Sequence, residues 1–152
     1  MLAICQAADG KLRLMPDELA ERKYLEREKW QVVHAHAVAS TPWNYQDFIR
    51  QSKGEFSCVK PSCVKLQNAW VSDRTLCYLA SGRPAVVQHT GPSRILPDAA
   101  GIFRFHDLAD AARCLDAVAA DYKRQSRLAR LLAEEHFDAK KVTAKVLERA
   151  IS

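Results

Sequence analysis

Short apolar runs alternate with longer amphipathic segments along this chain. Leu2 to Gln6 is a brief apolar run of strand type, and Ala7 to Leu14, around Asp9-Gly10, reads as a loop. Pro16 stands at a favourable first-turn position, and Asp17-Glu18 behind it complement a helix dipole. The spacing predicts a surface helix from Pro16 to Lys29, with Leu19, Tyr24 and Leu25 set among many charges. Trp30 to His34 reads as a second strand. Thr41-Pro42 is a cap-plus-proline start for a helix whose apolar face is Trp43, Phe48 and Ile49, reaching Ser52.

Gly54 breaks that helix, and Glu55 to Lys60 alternates in the manner of a strand. Pro61 to Ala69 reads as irregular and polar. Ser72 is a good helix cap, and Thr75 to Ser81 predicts a short helix closed by Gly82. Pro84 to Gln88 has the continuous apolar character of a buried strand. After a loop with Pro92 and Pro97, Gly101 to Phe105 gives another short strand. Asp107 can cap a helix in which Leu108, Ala111, Ala112, Leu115 and Val118 recur at helical spacing. Asp121 to Ile151 reads as helical throughout, with Asp138 capping its last segment.

Strands alternate with helices, without an internal repeat. The expected fold is therefore α/β: a Rossmann-like open, mostly parallel sheet flanked by helices, with helices at the carboxy terminus. The 152 residues are one domain's worth of chain.

Composition adds little to that picture, but charge does. The net charge is +5, and the excess is concentrated. Between residues 50 and 94 stand seven basic residues (Arg50, Lys53, Lys60, Lys65, Arg74, Arg83, Arg94) against two acids (Glu55, Asp73), which favours an anionic partner. A nucleic acid is not expected, because these charges fall at predicted strand ends and loops rather than among exposed aromatics on one face. The five cysteines (5, 58, 63, 77 and 114) are an odd number scattered in apolar patterns, which suits reduced thiols. Cys58 and Cys63 lack zinc-ligand spacing, so no metal is expected. No apolar run has transmembrane length and the amino terminus lacks a secretion signal, so a cytoplasmic location is expected.

In open parallel sheets, ligands sit at the carboxyl ends of the strands. Two places qualify. The helix start at Ser72-Asp73-Arg74 offers backbone N–H groups, a positive dipole end and a guanidinium able to grip phosphate. The loop His89-Thr90-Gly91 after the buried strand offers two hydrogen-bonding side chains and a glycine that permits close approach. A diphosphate between the two would satisfy both. Each residue also has a purely local reading: Ser72 as a cap, Asp73 as a dipole partner, Arg74 paired with an acid, His89 as a loop histidine. Trp43 and Trp70 read as core or rim aromatics, and Trp70 is placed to stack on a planar ring. His34 and His36 receive no role; His106 and His136 read as structural.

The runs "GEFSCVKPSCVKLQNAWVSDRTLCYLASGRPAVVQHTG", "LPDAAGIFRFHDLADAARCLDAV" and "LAEEHFDAKKV" carry a family resemblance. Over Val32 to Ile151 the chain resembles the carboxy-terminal half of GT-B glycosyltransferases. It is most similar to uncharacterised bacterial glycosyltransferase-like proteins with a W-[VF]-S-D-R segment. The A-S-G-R-P unit is weakly specific alone; "WVSDR" and "QHTG" around it, in order, are stronger. The resemblance implies a nucleotide-sugar donor-binding domain with no further cofactor, the donor itself being the substrate. Ser72, Asp73 and Arg74 would lie near the diphosphate and sugar, His89, Thr90 and Gly91 opposite, and Lys60 and Lys65 would supply phosphate cations.

One departure stands out. Many retaining members carry two glutamates eight positions apart around this helix, where this chain has Ala69 and Cys77. No catalytic residue is assigned. The acceptor domain of the family is missing, so a truncated or split hexosyltransferase-like form is expected. Alone it would be inactive, completed by an acceptor-binding domain or by self-association. The alternative is a non-catalytic α/β interaction or regulatory module.

Overall fold

The computed structural model describes residues 2–4, 16–93, 96–98 and 101–151. The predicted loop at Ala7 to Leu14, Cys5 and Arg94 lie outside the described residues. The chain divides into two compact units, residues 1–51 and 52–152. No helix among the described residues is long and apolar enough to cross a membrane.

In the first unit, β1 (Leu2–Ile4) pairs in parallel with β2 (Val32–His34), Leu2 opposite Val32 and Ile4 opposite His34. Between them runs α1 (Pro16–Arg27). A short helix, α2 (Ala35–Ala39), follows β2 directly. Sequence analysis leaves this stretch unassigned, although three alanines in five residues favour a helix. Next comes α3 (Pro42–Gln51), where the Thr41 hydroxyl accepts from the Asn44 N–H at 3.1 Å, the predicted cap. Trp43 is 74 % exposed, so it is neither core nor rim.

The second unit is built on a three-stranded parallel sheet in the order β3 (Glu55–Ser57), β4 (Ala85–Gln88), β5 (Ile102–Phe105). Two helices, α4 (Pro61–Leu66) and α5 (Asp73–Ala80), connect β3 to β4, and two more, α6 (Leu108–Ala120) and α7 (Tyr122–His136), follow β5. The last element is α8 (Ala139–Ile151). Strand alternation sorts the core into two layers. Ala85, Val87 and Ile102 pack with Leu79 of α5 and with Ala129 and Leu132 of α7. Val86, Phe103 and Phe105 face the other way, onto Ala111 and Cys114 of α6. The sheet is thus covered on both faces, as parallel sheets require.

Beyond shifts of one or two residues at element ends, three stretches differ from the sequence-based expectation. The strand expected to run from Glu55 to Lys60 stops at Ser57, and the Val59 N–H turns to the Gln88 side chain at 3.2 Å. The stretch expected to be irregular, Pro61 to Ala69, opens with the helix α4, because Pro61 at its first turn needs no N–H partner. The tail expected to be helical throughout breaks at Phe137-Asp138, where Asp138 Oδ1 accepts from the Lys141 N–H at 3.0 Å and starts α8. The caps at Ser72 and Asp107 form as predicted: Ser72 Oγ accepts from the Arg74 N–H at 3.2 Å and Asp107 Oδ1 from the Asp110 N–H at 2.8 Å.

Candidate functional site

The loops that leave β3 and β4 meet at the carboxyl edge of the sheet. The Ala69 N–H donates to the Thr90 carbonyl at 2.8 Å, and the Thr90 hydroxyl donates to the Trp70 carbonyl at 2.7 Å. These two bonds join Ala69 and Trp70, just before the Ser72–Arg74 stretch singled out from sequence, to Thr90 of the second such stretch. The junction is conformationally demanding. Gln67 and Ala69 both have positive φ, 48° and 57°, a region that residues with a Cβ seldom adopt. Gly91 has φ 109°, and a Cβ there would meet the Gln67 carbonyl oxygen at 2.5 Å. The close approach that this glycine permits is to the chain's own backbone.

Thr90 is buried and its hydroxyl is committed to Trp70. Ser72 is buried as well, and its hydroxyl donates to Asp73 Oδ1 at 3.2 Å. The Arg74 N–H is shared between Ser72 Oγ and Asp73 Oδ1, the latter at 2.9 Å. One N–H of the helix start, that of Arg74, is therefore satisfied from within, with a carboxylate beside the dipole end. Between the tips of β3 and β4, Ser57, Trp70, Ser72, Thr75 and Gln88 enclose a cavity of only about 10 Å³.

Arg74 projects from α5 with its side chain 48 % exposed. Its Nε donates to Glu55 Oε1 at 2.8 Å, and the Ser57 hydroxyl donates to the same oxygen at 3.0 Å. Glu55 is 3 % exposed at its side chain, so α5 and the edge strand are tied by a half-buried ion pair. Trp70, 44 % exposed, offers a flat ring at the same edge. Lys60 is the residue before α4 and Lys65 lies in its last turn, both exposed; Lys65 thus sits on a helix rather than on the expected loop.

His89 points the site in a second direction. Its ring lies 4.3 Å from that of His106, centroid to centroid. Both rings border a cavity of about 370 Å³ that Asp98, Arg104 and Cys114 also line. His89 Nδ1 accepts from the Gly91 N–H at 3.2 Å, which places the proton of the neutral ring on Nε2. Burial pushes the His89 pKa below its ordinary value; the neighbouring His106 and Arg104 push the same way, while Asp98 opposes them. Arg104 Nη1 is held by Asp98 Oδ1 at 2.9 Å and is nearly buried.

Two residues important to this arrangement escape the sequence reading, Glu55 and His106. Strand alternation carries the signal for Glu55, since it places Glu55 and Ser57 on the face opposite Phe56. For His106 the signal is its position just past β5, one strand over from His89. The carboxylates of the family pattern have no substitute at their own positions. Ala69 contributes backbone alone, and burial, reinforced by Asp73 and Glu55, pushes the Cys77 thiol up, so it stays protonated. Comparison with protein-family models, with curated proteins and with solved structures finds no match to this chain.

Proposed function

We propose that residues 52–152 form a nucleotide-sugar donor-binding domain of glycosyltransferase type, which binds a nucleoside diphosphate at the carboxyl edge of its parallel sheet. Transfer would take place with an acceptor held by a second domain or chain. One observation carries this reading: Ala69-Trp70, the segment that leads into the Ser72–Arg74 helix start, is joined to the His89–Gly91 loop through Thr90 at that edge. Arg74 and Trp70 stand exposed beside the junction, one suited to a phosphate and the other to a planar base. Glu55 orients the guanidinium through Nε, and the arginine and the helix start bring their positive charge to the same edge. In transfer their role would be to offset the negative charge that builds on the departing diphosphate. Strained backbone at Gln67 and Ala69 is of the kind that accumulates at binding sites.

A second reading has its own observation. Ser72 and Asp73 already satisfy the Arg74 N–H, and the neighbouring cavity is too small for a phosphate. That favours a non-catalytic α/β interaction module. Titration with UDP, GDP and dTDP, followed by amide chemical shifts, separates the two. The donor-binding reading expects shifts at residues 70, 72–74 and 89–91 with at least one nucleotide. Spectra unchanged by all three favour the interaction module.

A further inference from the structure

We propose that α8 is a membrane-surface helix whose apolar stripe lies on an anionic lipid bilayer. It buries none of its residues. Val146 is 60 % and Ile151 86 % exposed, and Val142 and Leu147 are exposed with them. At the helical repeat, Val142, Val146 and Ala150 form one row, with Thr143 and Leu147 beside it. Lys141, Lys145 and Glu148 take the opposite side. Lys140 and Arg149 border the stripe on its two flanks, where long basic side chains reach lipid headgroups while their stems lie along apolar surface. Four cations stand against one acid in this helix. A basic, amphipathic helix of low overall hydrophobicity binds in the plane of a membrane interface. Cations on both flanks fit a continuous layer of anionic headgroups better than an apolar groove on a protein, which would need an acidic rim on each side. The helix is already formed and oriented: Asp138 caps it, and the Lys141 ammonium donates to the Glu134 carbonyl at 2.9 Å. This inference does not depend on the donor-binding reading.

Co-sedimentation of the full chain with vesicles tests it. Vesicles of phosphatidylcholine mixed with phosphatidylglycerol should carry the protein down, vesicles of phosphatidylcholine alone should not, and concentrated salt should release it. Lys140→Gln with Arg149→Gln should lower the partition coefficient roughly twenty-five-fold, about fivefold for each cation. Val146→Ser with Leu147→Ser should abolish binding while leaving the circular dichroism of the core elements intact, because both residues are exposed. The proposal is overturned if the wild-type chain stays in the supernatant with anionic vesicles, or if the double glutamine variant binds as well as wild type. Concentration-dependent self-association that the double serine variant removes, without vesicle binding, would also overturn it and assign the stripe to a second copy of the chain.

Discussion

Glu55 holds Arg74: the carboxylate at the start of the edge strand receives the guanidinium Nε at 2.8 Å, and among the described residues Glu55 Oε2 has no hydrogen-bond partner. A carboxylate so buried depends on its cation, because the loss of one partner leaves an uncompensated charge. Arg74→Ala should therefore destabilise residues 52–152 by about 1–3 kcal/mol, below the fully buried figure because the guanidinium is half solvated. Glu55→Gln in the same background should recover part of that loss. Urea denaturation of the four members of this cycle measures the coupling.

Gly101 should tolerate no side chain. Its φ is 98°, and a Cβ there would come within 2.7 Å of the Ala129 Cα on α7. Its N–H donates to the buried Gln125 Oε1 at 3.0 Å, so the backbone cannot retreat without breaking that bond. Gly101→Ala should cost at least about 2 kcal/mol, from backbone strain and the separation of α7 from the sheet. Gly82→Ala is the matched control. It shares a positive φ, but its nearest neighbour, the Ser126 carbonyl oxygen, is 3.4 Å from the added Cβ, so about 1 kcal/mol is expected. Thermal or urea midpoints of both variants decide the matter.

Local chemistry made much of this fold legible in the sequence. Ser72 and Asp107 are caps because their oxygens reach an N–H two or three residues on, and no distant residue is needed to see it. Ala85 to Gln88 and Ile102 to Phe105 are apolar enough to be buried in any fold. What stayed hidden depends on partners remote in sequence. Nothing around Gly91 reveals that Gln67, 24 residues earlier, fills the space beside it. Glu55 and Arg74 lie 19 positions apart, and only the parallel pairing of β3 with β4 brings α5 over the edge strand. The short helices α2 and α4 were obscured for another reason: each is little more than one turn, too brief to show a period. For the site, the sequence indicated the His89–Gly91 loop and the Ser72–Arg74 helix start, but the contact with that loop is made by the residues just before the helix start. It did not show that Thr90 and Gly91 are taken up by the segment from Gln67 to Trp70.

Stability should fall on the acid side through His89. In the folded chain its pKa is lowered, chiefly by burial and then by His106, so the unfolded chain takes up a proton first as pH falls. The stabilising contribution of the neutral ring is full above about pH 6.5, the unfolded value, and is lost as pH drops through the lower folded value. Protonation also costs the Gly91 N–H its acceptor, Nδ1, and sets a second charge against Arg104. Imidazole resonances followed by NMR should give His89 a titration midpoint below the ordinary histidine range. His106→Gln should raise that midpoint by removing one of the depressing groups. A His89 midpoint at or above the ordinary value would contradict the partly buried placement of the ring beside His106.

Thr90→Val tests whether the loop junction is a strut or part of a ligand site. Valine keeps the shape of threonine in this buried position but leaves the Trp70 carbonyl without its donor, a loss of about 1–2 kcal/mol. Thr90→Ser keeps the hydroxyl and should retain most of the stability. If the junction orders Trp70 and Arg74 for a nucleoside diphosphate, the valine variant should also bind that nucleotide more weakly than the serine variant. Under saturating nucleotide its amide shifts at residues 72–74 should differ from wild type. A valine variant that loses stability yet binds as tightly as wild type would leave Thr90 a tie between two loops, with no part in recognition.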